Sequence, residues 1–220
     1  MDAPRLLSVQ VGVVRDVGHV GAASVMDRPW SSAIVKEAVH GRCRVGRLGL
    51  DGDEQADLVN HGGADKALLA YGAENLATWQ PLLGVVPPAG GFGENLTISG
   101  LDETTVCIGD RFRIGSVTLE CSQPRQPCWK LGRRWRRSDL PKHVTDTGRS
   151  GWYLRVLVDG ELGAGDAVER LGSPHPEWTV ARASRVMNGG VEGDARTVAE
   201  LASIAELSEA WRETLDARRM

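Results

Sequence analysis

Val117, Leu119 and Cys121 alternate with polar residues between Ser116 and Ser122, which is the period-two pattern of a half-buried strand. The run ends in Gln123-Pro124-Arg125-Gln126-Pro127-Cys128-Trp129-Lys130-Leu131. Pro124 and Pro127 fix their own φ near −65° and push Gln123 and Gln126 towards extended backbone, so the strand has to deliver a stiff loop. Cys128 follows the second proline and is held in one place. Arg125, Lys130, Arg133, Arg134, Arg136 and Arg137 put positive charge around it, which favours thiolate over thiol. A rigid, electropositive cysteine suits a nucleophile or a soft-metal ligand. The competing assignment is a buried cysteine that packs as a small hydrophobe.

The remaining strands are short and separated by glycine turns, a barrel-like spacing. Leu7, Val9, Val11 and Val13 mark a first strand over residues 5–15, Ser32–Val39 a second and Gly41–Val45 a third. Val106–Asp110 and Arg111–Leu119 continue the pattern, and Trp152–Val158 closes on Asp159-Gly160 as a hairpin signal. A short helix is expected over Gly72–Gln80, stopping before Pro81, and another from Ser138 as N-cap, with Pro141 in its first turn and Gly148 at its end.

Two glycine-rich stretches fall between these elements. In Asn60-His61-Gly62-Gly63-Ala64-Asp65-Lys66-Ala67, adjacent glycines let backbone amides approach an anion and Lys66 adds a point charge; the same residues also make an ordinary loop beside a solvated histidine. Gly90-Gly91-Phe92-Gly93-Glu94-Asn95 feeds a strand, and Asn95 either faces a ligand or serves the turn.

At 220 residues the chain buries roughly 70% of its unfolded surface. A net charge of −3 argues against general attraction to nucleic acid. The start Met1-Asp2-Ala3-Pro4-Arg5 has no signal-peptide pattern, and no stretch approaches the roughly 18 apolar residues of a membrane span, so the expectation is a cytoplasmic protein. Cys43, Cys107 and Cys121 lie in strand-like runs and read as packing residues. Beyond Pro174 the alternation ceases and three helices fit, over Thr179–Met187, Ala195–Ile204 and Ser208–Ala217, with Trp178 and Trp211 expected to be exposed and to favour a homodimer. So small a bundle needs a surface to pack on.

Taken together, His61–Ala67, Gly91–Leu96, Gln123–Leu131 and Thr147–Tyr153 resemble the MOSC-domain proteins, in particular the YiiM-type branch. The resemblance covers roughly residues 30–172 and extends to the helical tail. It implies a mainly β fold with helices: a MOSC β-barrel domain over 1–173 and a three-helix C-terminal extension over 174–220. It also implies binding of the molybdenum cofactor (a molybdopterin carrying molybdenum), with Cys128 as the metal ligand. Positions that fall on the family's motifs give a candidate cofactor set of His61, Gly62, Gly63, Asp65, Lys66, Asn95, Arg125 and Arg149, with His61 also a candidate proton donor. The activity implied is reduction of N-hydroxylated compounds such as hydroxylamino purines to amines, a chemistry that gives resistance to such base analogues. Electrons would come from a flavin-containing reductase, since the chain shows no dinucleotide-binding GxGxxG unit and no iron–sulfur cysteine set. The run Arg133–Arg137 stands outside the motifs as a solvated face or a docking surface for an acidic reductase. Two other activities fit the same cysteine or its surroundings: a sulfur or cofactor carrier with a persulfide on Cys128, and a non-enzymatic assembly module.

Overall fold

The computed structural model describes residues 3–189 and 193–218. The strands are β1 (Arg5–Val11), β2 (Arg15–Val17), β3 (Trp30–Ser32), β4 (Glu37–Ala38), β5 (Arg42–Gly46), β6 (Gly49–Leu50), β7 (Leu68–Gly72), β8 (Leu96–Ser99), β9 (Arg111–Ile114), β10 (Val117–Pro124), β11 (Trp152–Val158), β12 (Gly160–Gly163) and β13 (Val168–Gly172). Between them lie α1 (Leu58–His61), α2 (Ala73–Ala77), α3 (Gln80–Leu83), α4 (Trp129–Trp135) and α5 (Leu140–Thr147). After the last strand come α6 (Val180–Met187), α7 (Ala195–Ala202) and α8 (Glu209–Ala217).

The fold is mixed and mostly sheet. Eight strands form one sheet in the order β13-β9-β10-β11-β7-β8-β1-β4, with β12-β5-β6 and β2-β3 as smaller sheets. Only β7 and β8 run parallel within it, and the segment carrying α2, α3 and the second glycine loop makes the long crossover that a parallel pair requires. The expected barrel is not closed by a continuous ladder, because the order ends at β13 on one side and β4 on the other. The sheet nevertheless curls until the start of β1 meets the approach to β13: the Leu6 N–H donates to Asp166, Gly165 to Leu6 and Val168 to Pro4, over 2.7–3.0 Å.

Several expected elements change where a side chain takes over a backbone hydrogen bond. The first strand stops at Val11 because the Gly12 N–H donates to Asp53 Oδ1 at 2.7 Å instead of entering a ladder. Ser32–Val39 is not one strand: Ser32 Oγ accepts the Ile34 N–H and turns the chain between β3 and β4. Val106–Asp110 is a turn, closed by Asp110 Oδ2 accepting the Cys107 N–H. Asp159 leads to no hairpin, since β12 leaves β11 to pair with β5. Past Ala77 the chain turns and resumes as α3, with Pro81 in the first turn where its missing N–H is tolerated. In α5 the N-cap residue is Asp139, one later than Ser138.

Two hydrophobic clusters support this frame. The larger lies within the sheet and includes Leu6, Val45, Leu68, Leu96, Leu119 and Cys121, together with Trp178, Val186, Leu201, Trp211 and Leu215 from the helical tail. The three tail helices therefore pack on the sheet's own core. Trp178 and Trp211 are buried there, each 3% exposed, which removes the surface tryptophans on which a homodimer was expected. The smaller cluster, Tyr71, Trp79, Phe92, Leu131, Leu140 and Val144, lies under α4 and α5. Tyr71 and Phe92 stack with centroids 4.9 Å apart, and Trp79 Nε1 donates to the Tyr71 hydroxyl at 2.7 Å.

The second glycine loop is tied to this cluster by Glu94, which is fully buried. Its carboxylate accepts the N–H groups of Gly90 and Phe92 at 2.7 and 2.9 Å and the Thr97 hydroxyl at 3.2 Å. Glu94→Ala leaves three buried donors without a partner and is expected to destabilise the protein by about 3 kcal/mol in urea unfolding. A change below about 1 kcal/mol would show that the loop is held by other contacts.

Candidate functional site

Strand β10 ends at the proline loop as the sequence suggests. A register shift between Cys121 and Gln123 bends it, Pro124 pairs with Trp152, and the Arg125 N–H donates to the Gly151 carbonyl at 3.0 Å. Cys128 then occupies the N-cap position of α4, with backbone φ −107° and ψ 167°. Its thiol borders an open cleft walled by residues 32–36, 53–57 and the second glycine loop. Gly93 is required there, since its φ is +81° and a Cβ would come within 2.8 Å of Ile34 Cγ1.

His61 reaches Cys128 from α1. Asp57 caps that helix, its carboxylate accepting the Asn60 N–H at 3.1 Å and Asn60 Nδ2 at 2.9 Å. Those hydrogen bonds hold Asp57 ionised, with a pKa of about 2. Its Oδ2 lies 3.5 Å from His61 Nδ1 without hydrogen-bond geometry, so buried Nδ1 has no protein partner. The imidazole lines the same cleft as the Cys128 sulfur and favours its ionised form. Burial works to raise the Cys128 pKa; against it act the neighbouring His61 imidazole, the Arg125 charge and the Lys130 backbone N–H, and together they bring it down to about 7. Cys121, sealed in the core, is pushed well above the ordinary thiol value by burial.

Arg125 is 5% exposed. Nη2 donates to the Phe92 carbonyl at 3.2 Å, and Nη1 has no partner. A buried guanidinium without a carboxylate beside it is costly unless an anion completes the site. The Cys128 thiolate and an anionic ligand are both suited to that role.

Of the residues singled out from sequence, His61, Lys66, Asn95, Arg125 and Cys128 line the cleft. Lys66 Nζ also donates to the Asn60 carbonyl at 2.7 Å. Asn95 is committed to the scaffold: Oδ1 accepts the Leu69 N–H, and Nδ2 donates to the Gln10 carbonyl and to Asp53 Oδ2. Gly62, Gly63, Asp65 and Arg149 are not among the lining residues. Asp65 pairs with Arg155 at 2.9 Å and accepts the N–H of Glu209, joining the first glycine loop to β11 and α8. Arg149 contributes its carbonyl, which accepts from the Tyr71 hydroxyl.

The arginine run is not a ring of charge around the sulfur. Arg133 donates to the Arg28 carbonyl and lies 5.0 Å over the Trp129 ring, and Arg134 donates to the Ile34 carbonyl. Arg136 pairs with Asp27, and Arg137 with Asp139 and the Leu82 carbonyl. Three of these arginines thus fasten residues 27–34, the segment that leads into one wall of the cleft, onto α4.

Lys36, Asp53, Asp57 and Tyr153 also line the cleft and were not picked out from sequence as site residues. Asp57 carries the one local signal, a capping side chain before a short helix that ends in His61.

The bent sheet thus delivers its cysteine loop to a cleft bordered by the second glycine loop. Residues 57–169 match the MOSC domain model, and the chain belongs to that family, which is associated with molybdenum cofactor binding. Protein YiiM of Escherichia coli is 38% identical over 195 residues, covering 86% of this chain and 85% of that one. The crystal structure of YiiM from Geobacillus stearothermophilus superposes with a TM-score of 0.81 at 31% identity, covering 99% of this chain and 100% of that one. A protein of Gibberella moniliformis named "Reductase" is 36% identical over 161 residues, 71% of this chain but 28% of that protein. The chain is thus of the YiiM type. Among the described residues no helix is long and apolar enough to cross a membrane.

The site makes a direct prediction for the cofactor-free protein. Cys128 should be the fast-reacting thiol towards iodoacetamide, with a midpoint at about pH 7, and His61→Ala should move that midpoint upward. A midpoint near the free-thiol value of about 8.5 in both proteins would contradict the described contacts.

Proposed function

We propose that this protein is a molybdenum cofactor-dependent reductase of N-hydroxylated compounds, with Cys128 as the metal's protein ligand. The observation that carries the reading is a thiolate and an unpartnered guanidinium, Cys128 and Arg125, at the same cleft. Among the described residues no group of three or more His, Cys, Asp and Glu is arranged to hold a metal. One activated thiolate at an open cleft suits a metal brought by an organic cofactor that provides its other ligands.

The residues present fit such a group. Cys128 is ionised over much of the neutral range and would bind the metal as a soft ligand. Arg125 would face negative charge on the bound cofactor or substrate through Nη1. His61 lines the cleft with Cys128 and its Nδ1 has no protein partner, so it would be placed to keep or pass a proton beside the metal position. The cofactor would supply the two-electron, oxygen-accepting chemistry that side chains lack. Electrons would come from a flavin-containing reductase; a Gibberella protein named "Reductase" carries a segment similar to this chain as a minor part of its length, which favours a reductive role.

A second reading keeps Cys128 as a persulfide site in a sulfur or cofactor carrier, which its accessible, low-pKa thiol also favours. The two diverge on one variant. As a reductase, protein produced with cofactor supply contains close to one molybdenum per chain, and Cys128→Ser lowers turnover of an N-hydroxylated purine by about 100-fold or more while the fold persists. Equal turnover in wild type and Cys128→Ser, or a sulfur adduct on Cys128 with no reduction, would remove the reductase reading.

A further inference from the structure

Lys36 is an unusual lysine. Its side chain is 6% exposed, yet it lines the cleft, with its ammonium paired to the same Asp53 carboxylate that Asn95 Nδ2 reaches. That carboxylate is itself fixed: it also accepts from the Gly12 N–H at 2.7 Å, Asn95 Nδ2 at 2.8 Å and Gln55 Nε2 at 3.4 Å. Asp53 is therefore fully engaged, while an ammonium with three N–H groups keeps donors beyond this one bond.

Reduction of an N-hydroxylated compound to the amine, R–NH–OH + 2 e⁻ + 2 H⁺ → R–NH₂ + H₂O, breaks the N–O bond, adds hydrogen to nitrogen and releases the oxygen as water. The electrons would come from the flavin reductase, and both protons must be delivered within the cleft lined by residues 32–36 and 53–57. His61 beside Cys128 is one donor. We propose that Lys36, positioned by Asp53, is the second proton donor of this reaction, an assignment that rests on the reductase reading. It is restored from solvent between turnovers.

The charges around Lys36 are consistent with this role. Burial lowers its pKa first and foremost; Asp53, from the loop after β6, and Glu94, from the glycine loop, pull it up, and Arg134 on α4 lowers it further, with the net shift downward. The ammonium is thus a stronger acid than a free lysine. The alternative is a purely structural clamp between residues 33–36 and 51–55.

Lys36→Arg separates the two. It keeps a positive charge for Asp53 but cannot release a proton near neutral pH. The cofactor-loaded variant should retain its molybdenum and its melting temperature while turnover falls by about 100-fold. In Asp53→Asn the loss of the negative charge lowers the Lys36 pKa, so the basic limb of the pH–turnover profile moves to lower pH. The chain has four lysines, so NMR of selectively ¹³C-labelled lysine can follow Lys36 directly in the cofactor-free protein, assigned by its absence in Lys36→Arg. Its midpoint should fall below the free-lysine value of about 10.4. Full turnover in folded Lys36→Arg, or a midpoint at or above 10.4, overturns the assignment. If Lys36→Arg does not fold, the Asp53→Asn profile and the NMR midpoint decide it. Wild-type protein that holds molybdenum but reduces no N-hydroxylated compound defeats the reductase reading instead.

Discussion

A buried guanidinium with no carboxylate beside it sets the terms for the rest of this molecule. Arg125 is almost fully removed from water, has one carbonyl for Nη2 and nothing for Nη1. Desolvating a charge in this way is tolerated when the environment supplies the opposite charge, and the surroundings are arranged to do so. The charge of Arg125 helps ionise Cys128, and the cleft they share leaves room for an anion. The prolines on either side of Arg125, the pairing of Pro124 with Trp152 and the Arg125–Gly151 backbone bond keep the guanidinium from relaxing towards solvent.

The walls of the cleft follow from the same requirement for fixed charge. Glu94 is buried and answers backbone N–H groups, so it orders the glycine loop without neutralising Arg125. Asp53 gathers Gly12, Lys36, Gln55 and Asn95, joining the end of β1, the 33–36 segment and the start of β8 at a single carboxylate. Arg133, Arg134 and Arg136 then fasten the 27–34 segment, which leads into one wall, to the helix that begins at Cys128. Charges that look mobile in the sequence are mostly spent on holding the cleft in shape.

How much of this could be read beforehand depended on range. The loop after β10, the strands around it and the tail helices were legible because alternation, proline spacing and capping residues act within a few positions. Cys128, His61, Lys66, Asn95 and Arg125 were found as neighbours of short motifs, and all five do line the cleft. What stayed hidden was set by partners far apart in the chain. Lys36 and Asp53 carry no local mark and gain their meaning only when paired. Asp65 sits in a motif yet turns away to Arg155, some ninety residues later. The arginine run reads as a charged surface until its carbonyl and aspartate partners are seen, and the tail tryptophans read as exposed until the sheet covers them. Likewise, side chains of Asp53, Ser32 and Asp110 ended strands that the hydrophobic pattern alone would have continued.

The central claim is that the sulfur at the tip of β10 binds a metal brought by a cofactor. X-ray absorption at the molybdenum edge, on protein produced with cofactor supply, addresses that bond itself. The account predicts a sulfur-rich first coordination sphere in the wild type and one sulfur fewer in Cys128→Ser. An identical sulfur count in the two proteins, or wild-type protein that takes up no molybdenum, would contradict it.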